Sequence, residues 1–475
     1  MLKQTKVGFG FINLIFVFLL LPLTQTGYTV DTPVLSLADA VGTALLENRE
    51  LEATRHDQEA AQYGTHEAQG SYLPHLSFSS EYSRSDSDLF SFDPSSVPEP
   101  FRDSFDFSNM GFTGAYYSNK FQVSQLIYDR SVIGQIRLSH MQERAAKWQK
   151  TGREQQVVYE TVHAYLNALR AKELLGVQQQ RLKLAEKQLD TAKTAFEAGL
   201  RIRTDVLRNK LTRSAAMRDV VSTEIALENA QVALNQVMGI DLKTRHGFEA
   251  EELAAYNPPK EILRQVNNFK ELFDLAEENN PSISLASVLV EQKKENIEIA
   301  RGAFLPTVTA GANFGYKDSS APNLDDQEWG VSAAIQIPIF QGGSRVAKVK
   351  RGKEEYNAQR KRHEDTVRSV HTSVEQASLA LQEQYRNLQI AIEAENVAQE
   401  SYERFQNLFS EGLADSLDIT QALTELVVAR TDVVTARYSY LTIYANLLLA
   451  TGTIPTAAEV YGTIAWLNIL HDSSQ

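Results

Sequence analysis

Gly199-Leu200-Arg201-Ile202-Arg203-Thr204-Asp205-Val206-Leu207 and Gly412-Leu413-Ala414-Asp415-Ser416-Leu417-Asp418-Ile419 are the two stretches on which the fold turns. They carry a Gly-Leu pair and then an aspartate at the same spacing, 213 residues apart. Each glycine suits the left-handed end of a helix that must stop. Thr204-Asp205 and Ser416-Leu417-Asp418 then offer capping side chains for a helix that returns. The pattern predicts two helical hairpins, each with its tip at one of these turns.

The chain on either side of the tips supports long helices. No proline occurs between Pro100 and Pro258, and none between Pro338 and Pro455. Proline breaks helix interiors, and both gaps are rich in strong helix formers. Arg130 to Ala198 could run about 100 Å as one helix, and Gly342 to Glu411 is similar. The flanking helical stretches, 36–70, 203–238, 270–302 and 415–451, are about half as long, so two of them laid end to end would match one long helix. Leu182, Ala185, Leu189, Ala192 and Phe196, and Val367, Val370, Val374, Ala377, Leu381, Tyr385 and Leu388, follow the three–four spacing of a coiled coil. Many seam positions are Ala, Ser or Thr, so each seam is thin and neighbouring chains are expected to complete the packing.

The hairpins belong to a duplication. Asn48 aligns with Asn280 and Tyr72-Leu73-Pro74 with Phe304-Leu305-Pro306, at an offset of 232. Gly239 aligns with Gly452 at the tips' offset of 213, because the first copy is longer around residues 83–119. Each copy reads helix, strand, loop, strand, long helix, tight turn, helix. The strands alternate with period two. Leu76, Phe78 and Tyr82 alternate with serines and Glu81, and Phe121, Val123 and Ile127 lie in the partner run. Val308, Ala310, Ala312, Phe314 and Tyr316, and then Trp329, Val331, Ile335, Ile337 and Ile339, do the same in the second copy. These runs are near the length of a tilted membrane strand, with one small or polar face. A soluble sandwich with one wet face fits the strands equally well. The segments Ser83–Asn119, carrying Phe90, Phe92, Phe101, Phe105, Phe107 and Phe112, and Lys317–Glu328 read as loops between strands.

Composition narrows the function. The 475 residues hold 47 Lys and Arg against 60 Asp and Glu, a formal charge of −13, which is a poor match for nucleic acid. There is no cysteine, the nine histidines are scattered, and no metal set, cofactor motif or catalytic constellation is found, so no enzyme, cofactor or metal is expected. Lys3 and Lys6 precede an apolar run from Val7 to Leu23, which reads as a signal peptide over residues 1–26. No later stretch is long and apolar enough for a spanning helix, so any membrane crossing must use strands. Four strands cannot close a membrane barrel, and open edges in lipid cost several kcal/mol per backbone group. Two copies would give eight strands and three would give twelve. A solid coiled-coil stalk is the alternative for the helices, but it leaves two strand pairs unexplained.

Taken in order over about 440 residues, these features resemble the TolC-like outer-membrane efflux protein family. The resemblance implies an α+β membrane protein: a long α-helical coiled-coil barrel joined to a transmembrane β-barrel shared between subunits, four strands per chain, in a trimer. It implies an exit duct of a tripartite efflux pump or type I secretion system in the outer membrane. Its partners would be a periplasmic adaptor, an inner-membrane transporter of RND or ABC type, and outer-membrane lipid. The segments are then a signal peptide (1–26), a first repeat (27–240, strand pair 72–128, helical hairpin 130–238) and a linker (241–269). A second repeat (270–452, strand pair 305–340, helical hairpin 342–451) and a tail (453–475) follow, linker and tail belting the cylinder's middle. Asp205, Asp415 and Asp418 would ring the narrow end; capping alone is the competing role for Asp205 and Asp418. Where relatives carry an arginine, a second aspartate and a latch tyrosine, this chain has Ala414, Gln421 and Phe409, so its closed state would be held more weakly or by other contacts. Gly199, Leu200, Val206, Gly412, Leu413 and Ile419 would meet the adaptor. A non-conducting, periplasm-spanning scaffold or adhesin-like protein is the alternative.

Overall fold

Two uninterrupted helices set the length of the molecule. The computed structural model describes residues 34–87, 112–248, 253, 255–319, 326–411 and 413–457. The proposed signal peptide, Phe90, Phe92, Phe101, Phe105 and Phe107, Gly412 and the last part of the tail lie outside the described residues. In chain order the elements are β1 (Val34–Leu35), α1 (Leu37–Glu47), α2 (Arg49–Gly70), β2 (His75–Ser87), β3 (Phe112–Tyr128), α3 (Arg130–Glu197) and α4 (Arg203–Met238). They continue with β4 (Gly247–Phe248), α5 (Ile262–Val266), α6 (Phe269–Asn279), α7 (Pro281–Gly302), β5 (Thr307–Ser319), β6 (Asp326–Gln336), α8 (Ser344–Ser410) and α9 (Ser416–Thr451). At 68 and 67 residues, α3 and α8 each run about 100 Å.

The short helices differ from the sequence reading in one instructive way. The stretches 36–70 and 270–302 are each broken, at Asn48 and Asn280. Each asparagine leaves the helical region, accepts the first N–H groups of the next helix, and turns its amide to a carbonyl of another helix. Asn48 donates to Val237 O at 2.8 Å and Asn280 to Ala450 O at 2.9 Å. A cap side chain in mid-run outweighs continuous helical periodicity. The break lets α2 start where α4 stops: Gly239 is left-handed, and a Cβ there would strike the Glu47 carbonyl. Gly452 does the same against Asn279, so α7 starts where α9 stops. The two short helices therefore stack end to end, and the chain is an arc of four rods: α4 and α2, then α3, then α9 and α7, then α8.

The strands continue the arc. β2-β3-β5-β6 form one antiparallel sheet in that order. Residues 83–87 and 112–119, and likewise 317–319 and 326–328, belong to strands and not to loops, because the ladder hydrogen bonds carry on through them. β6 stops at Gln336, and Gly342 and Gly343 take left-handed φ before α8 begins.

The main core sits at mid-length, where α1, α5 and α6 pack on the long rods. Tyr165, Leu166, Leu169, Leu381, Tyr440, Leu441 and Tyr444 are fully buried there. Short elements are tied to the long helices through backbone carbonyls. Tyr165 Oη donates to Leu35 O at 2.9 Å, Lys172 Nζ to Phe248 O at 2.9 Å and Ser378 Oγ to Val266 O at 2.7 Å. Burial raises the Tyr438 hydroxyl's pKa, and its hydrogen bond to Glu173 raises it further. No described helix is long and apolar enough to cross a membrane.

Candidate functional site

Both ends of the rods carry built features. At the tip of the first hairpin, Gly199 stands at φ +74, with Leu200 N–H bonded to Ala195 O at 2.8 Å and Gly199 N–H to Phe196 O at 2.9 Å. This is the paired bonding of a Schellman motif. At the second tip, Leu413 N–H reaches Leu408 O at 2.8 Å, the equivalent long bond.

The returning helices start differently. Asp415 is the N-cap of α9 and accepts from Leu417 and Asp418 N–H, while Asp418 accepts back from Asp415 N–H, a reciprocal capping box. Those amides, with Arg208 and Arg201 nearby, hold the Asp415 carboxyl below the usual aspartate range. In the first hairpin the cap position falls to Ile202, which has no side chain to bond with, and Thr204 and Asp205 lie inside the helix. The capping role read for Thr204-Asp205 is therefore corrected, since the chain enters the helical region before reaching them. Asp205 is half-buried, and its carbonyl accepts from Asn209 Nδ2 at 2.9 Å.

The two tips are also tied to each other. Arg201 donates to Ala414 O at 3.1 Å and stands 4.8 Å from the centroid of the Phe409 ring. Buried Asn209 donates to Ser416 Oγ at 2.9 Å. A cation from the first turn thus rests on an aromatic ring and a carbonyl of the second. Sequence reading missed the roles of Arg201 and Asn209 because their partners lie more than 200 residues away, although Arg201 lies in the turn motif and Asn209 just after it. Leu200 and Leu413 project into solvent at 77% and 73% exposure, and Val206 is half-buried. Ile419 is 3% exposed, inside a cluster with Tyr402, Leu423 and Leu426. Its side chain faces the partner helix and has no surface to offer an adaptor. Gln421 donates to Glu425, its own helix neighbour, at 3.0 Å.

At the opposite end, register brings Phe78, Phe121, Phe314 and Trp329 into one row across all four strands. Phe78 and Phe121 rings lie 4.8 Å apart, as do Tyr82 and Tyr117. All four residues of the row are more than half exposed, Trp329 at 76%. The other face carries Ser77, Gln122, Asn313 and Gly330 in one row. An exposed aromatic face backed by a polar one is the pattern of a lipid-facing barrel wall. Among the described residues no cluster of His, Asp or Glu is placed to hold a metal.

A profile of the outer membrane efflux protein family matches residues 40–240 and 272–453, one match on each repeat and most of the chain. The chain belongs to the outer membrane efflux protein family. It is similar to the outer membrane protein TolC of Escherichia coli K12, 26% identical over 452 residues covering 92% of this chain and 86% of that protein. It is also similar to the alkaline protease secretion protein AprF of Pseudomonas aeruginosa, 21% identical over 435 residues, 90% of this chain and 86% of that one. Among solved structures, the CmeC outer membrane channel of Campylobacter jejuni superposes with a TM-score of 0.72 at 17% identity, covering 89% of this chain and 88% of the other. The MtrE channel of Neisseria gonorrhoeae in its open state gives 0.69 at 18% identity, 89% and 90% covered. The fold is that of outer-membrane channels, an α-helical tunnel joined to a β-domain. This efflux protein is an outer-membrane protein, and its family supplies the exit ducts of efflux and type I secretion systems.

Proposed function

We propose that three copies of this efflux protein pool their sheets into one twelve-stranded barrel, with the rods forming a single tunnel below it. The single observation that carries this is the exposed aromatic row on a sheet whose outer strands, β2 and β6, are each paired on one side only among the described residues. In lipid those edges need partners, and another copy of the same sheet supplies them. The duct takes small molecules or polypeptides from an inner-membrane transporter of RND or ABC type, joined through a periplasmic adaptor, and the channel itself performs no catalysis. Residues 27–240 and 270–452 act as the two structural repeats. The linker 241–269 and tail 453–475 act as the belt, a role supported by the burial of Phe248, Ile262, Val266 and Ile454 against the mid-length core.

At the tip, threefold symmetry turns Asp205, Asp415 and Asp418 into rings that favour cations. Gln421 leaves that ring one charge poorer than relatives with an aspartate there. Arg201, held on Phe409 and the Ala414 carbonyl, ties the two hairpins together within each subunit. Leu200 and Leu413, with the turns at Gly199 and Gly412 and with Val206 beside them, form the adaptor-facing surface; Ile419 supports them from within.

Planar-bilayer recording tests this reading. The intact protein is expected to conduct, whereas a non-conducting scaffold gives no current. Asp205→Ala with Asp418→Ala should raise conductance and lower cation preference. Because Asp418 also closes the capping box, Asp205→Asn with Asp418→Asn separates the effects: it removes both charges and keeps an acceptor. Lower cation preference in the Asn variant supports the ring, and unchanged selectivity in both overturns it.

A further inference from the structure

One place in the wall is filled in the first half of the chain and open in the second. The halves correspond by fixed offsets: adding 213 to α3 gives α8, and adding 232 to α2 gives α7. In the first half, Arg153 of α3 pairs with Glu160 of the same helix at 3.6 Å and with Glu50 of α2. The offsets carry Arg153, Glu160 and Glu50 onto Thr366, Ser373 and Ser282. An arginine and two glutamates are thus replaced by three small hydroxyl residues, and these line a cavity of about 540 Å³. That volume is in the range of pockets that hold drug-sized molecules. We propose that this niche binds a polar molecule carrying a guanidinium or ammonium group, which takes the place that the Arg153 side chain fills in the first half.

The chemistry of the lining selects a donor. Thr366 Oγ1 donates to Arg362 O at 2.9 Å and Ser373 Oγ to Ser369 O at 3.0 Å. Their protons are spent on α8 itself, so their lone pairs are what they offer a ligand. Gln155 of α3 uses its amide nitrogen on the Gly452 carbonyl at 2.8 Å, which leaves its oxygen as an acceptor. Asp365 is the one charged residue of the described lining, and it has no hydrogen-bond or ion-pair partner among the described residues. Guanidinium and ammonium groups donate only, and bonds from them to a carboxylate are the strong ones.

Position adds a direction. On the side of α8 that α5 and α6 cover, His371 stacks on Phe273 at 4.3 Å and Ser378 Oγ donates to Val266 O. Helical periodicity puts Asp365, Ser369 and Ser373 on the opposite side of α8. In the proposed duct the belt lies outside the rods, so the niche opens toward the passage. The inference deepens the duct reading and rests on it for this orientation alone.

Equilibrium dialysis of agmatine, which is arginine without its carboxylate, against the full-length protein in detergent tests the niche. One saturable site per chain is expected. Asp365→Asn should weaken binding roughly tenfold or more. Thr366→Arg with Ser282→Glu and Ser373→Glu rebuilds the first-half ion cluster in the niche and should abolish the site with helix content unchanged. No saturable binding to the native protein, or unchanged binding in either variant, overturns the proposal. Binding lost only in the Asp205→Asn, Asp418→Asn protein puts the cation at the tip and overturns it as well. Niche-dependent binding by a protein that passes no current in planar bilayers overturns the duct and leaves the niche; current without niche-dependent binding does the reverse.

Discussion

Leu166 and Leu379 are the same residue at equivalent points of α3 and α8, yet Leu166 is fully buried and Leu379 is 52% exposed. Around Leu166 stand Val157, Val158, Val162, Tyr165 and Leu169, all inside the core. Along α8, Leu379, Ile390, Val397 and Leu408 form one exposed stripe. Both helices began as the same unit with the same apolar face, and position in the arc decides which face is covered. α3 is an inner rod and finishes its packing within the chain. α8 is an edge rod and keeps apolar surface that nothing in the described chain covers, and large exposed patches commonly mark interaction surfaces.

The largest expected effect separates these two leucines. Leu166→Ala removes a fully buried side chain and should cost about 2–5 kcal/mol of chain stability, visible as a lowered denaturation midpoint. Leu379→Ala should leave the isolated chain within about 0.5 kcal/mol of the native stability and weaken assembly instead. Equal losses in both variants would break the comparison.

A smaller effect separates the two tips. Asp415→Ala removes the cap of α9 and should speed amide exchange at Leu417 and Asp418. Ile202→Asp places a capping oxygen where α4 has none and should slow exchange in that turn. No change in exchange at Asp205 after Ile202→Asp would contradict the assignment of Ile202 as an uncapped start.

The smallest effect is set by pH. Hydrogen bonds from Asp418 and Leu417 N–H, then Arg208 and Arg201, hold the Asp415 pKa below its unfolded value. The stabilisation is therefore present at neutral pH and is lost as pH falls through the folded-state value. The second tip should loosen in acid before the first, with exchange at Leu417 and Asp418 as the readout. Tips that loosen together would count against the difference in their caps.

Much of this fold could be read from residues. Proline-free runs marked α3 and α8, period-two alternation marked the strands, and the offsets of 232 and 213 marked the duplication. The helix breaks could not be read from periodicity, because Asn48 and Asn280 act through carbonyls of Val237 and Ala450 far along the chain. Asn280-Pro281 carried a local signal, since proline suits the first turn of a helix. The strand end 83–87 looked like loop because Ser, Asp and Arg fill it, whereas ladder bonds depend on backbone alone and pair it with the run that starts at Phe112. At the tips, the motif located the turns and the aspartates but not their roles. Ile419 lay on the wrong side of its helix for contact with another protein, and Arg201 found its ring only through tertiary packing.

The central claim is that the chain is an incomplete arc, finished by copies of itself. Native mass measurement of the full-length protein extracted in mild detergent tests it most directly. Three copies in one complex is the predicted result; a single subunit, with no larger species at any concentration, would contradict it.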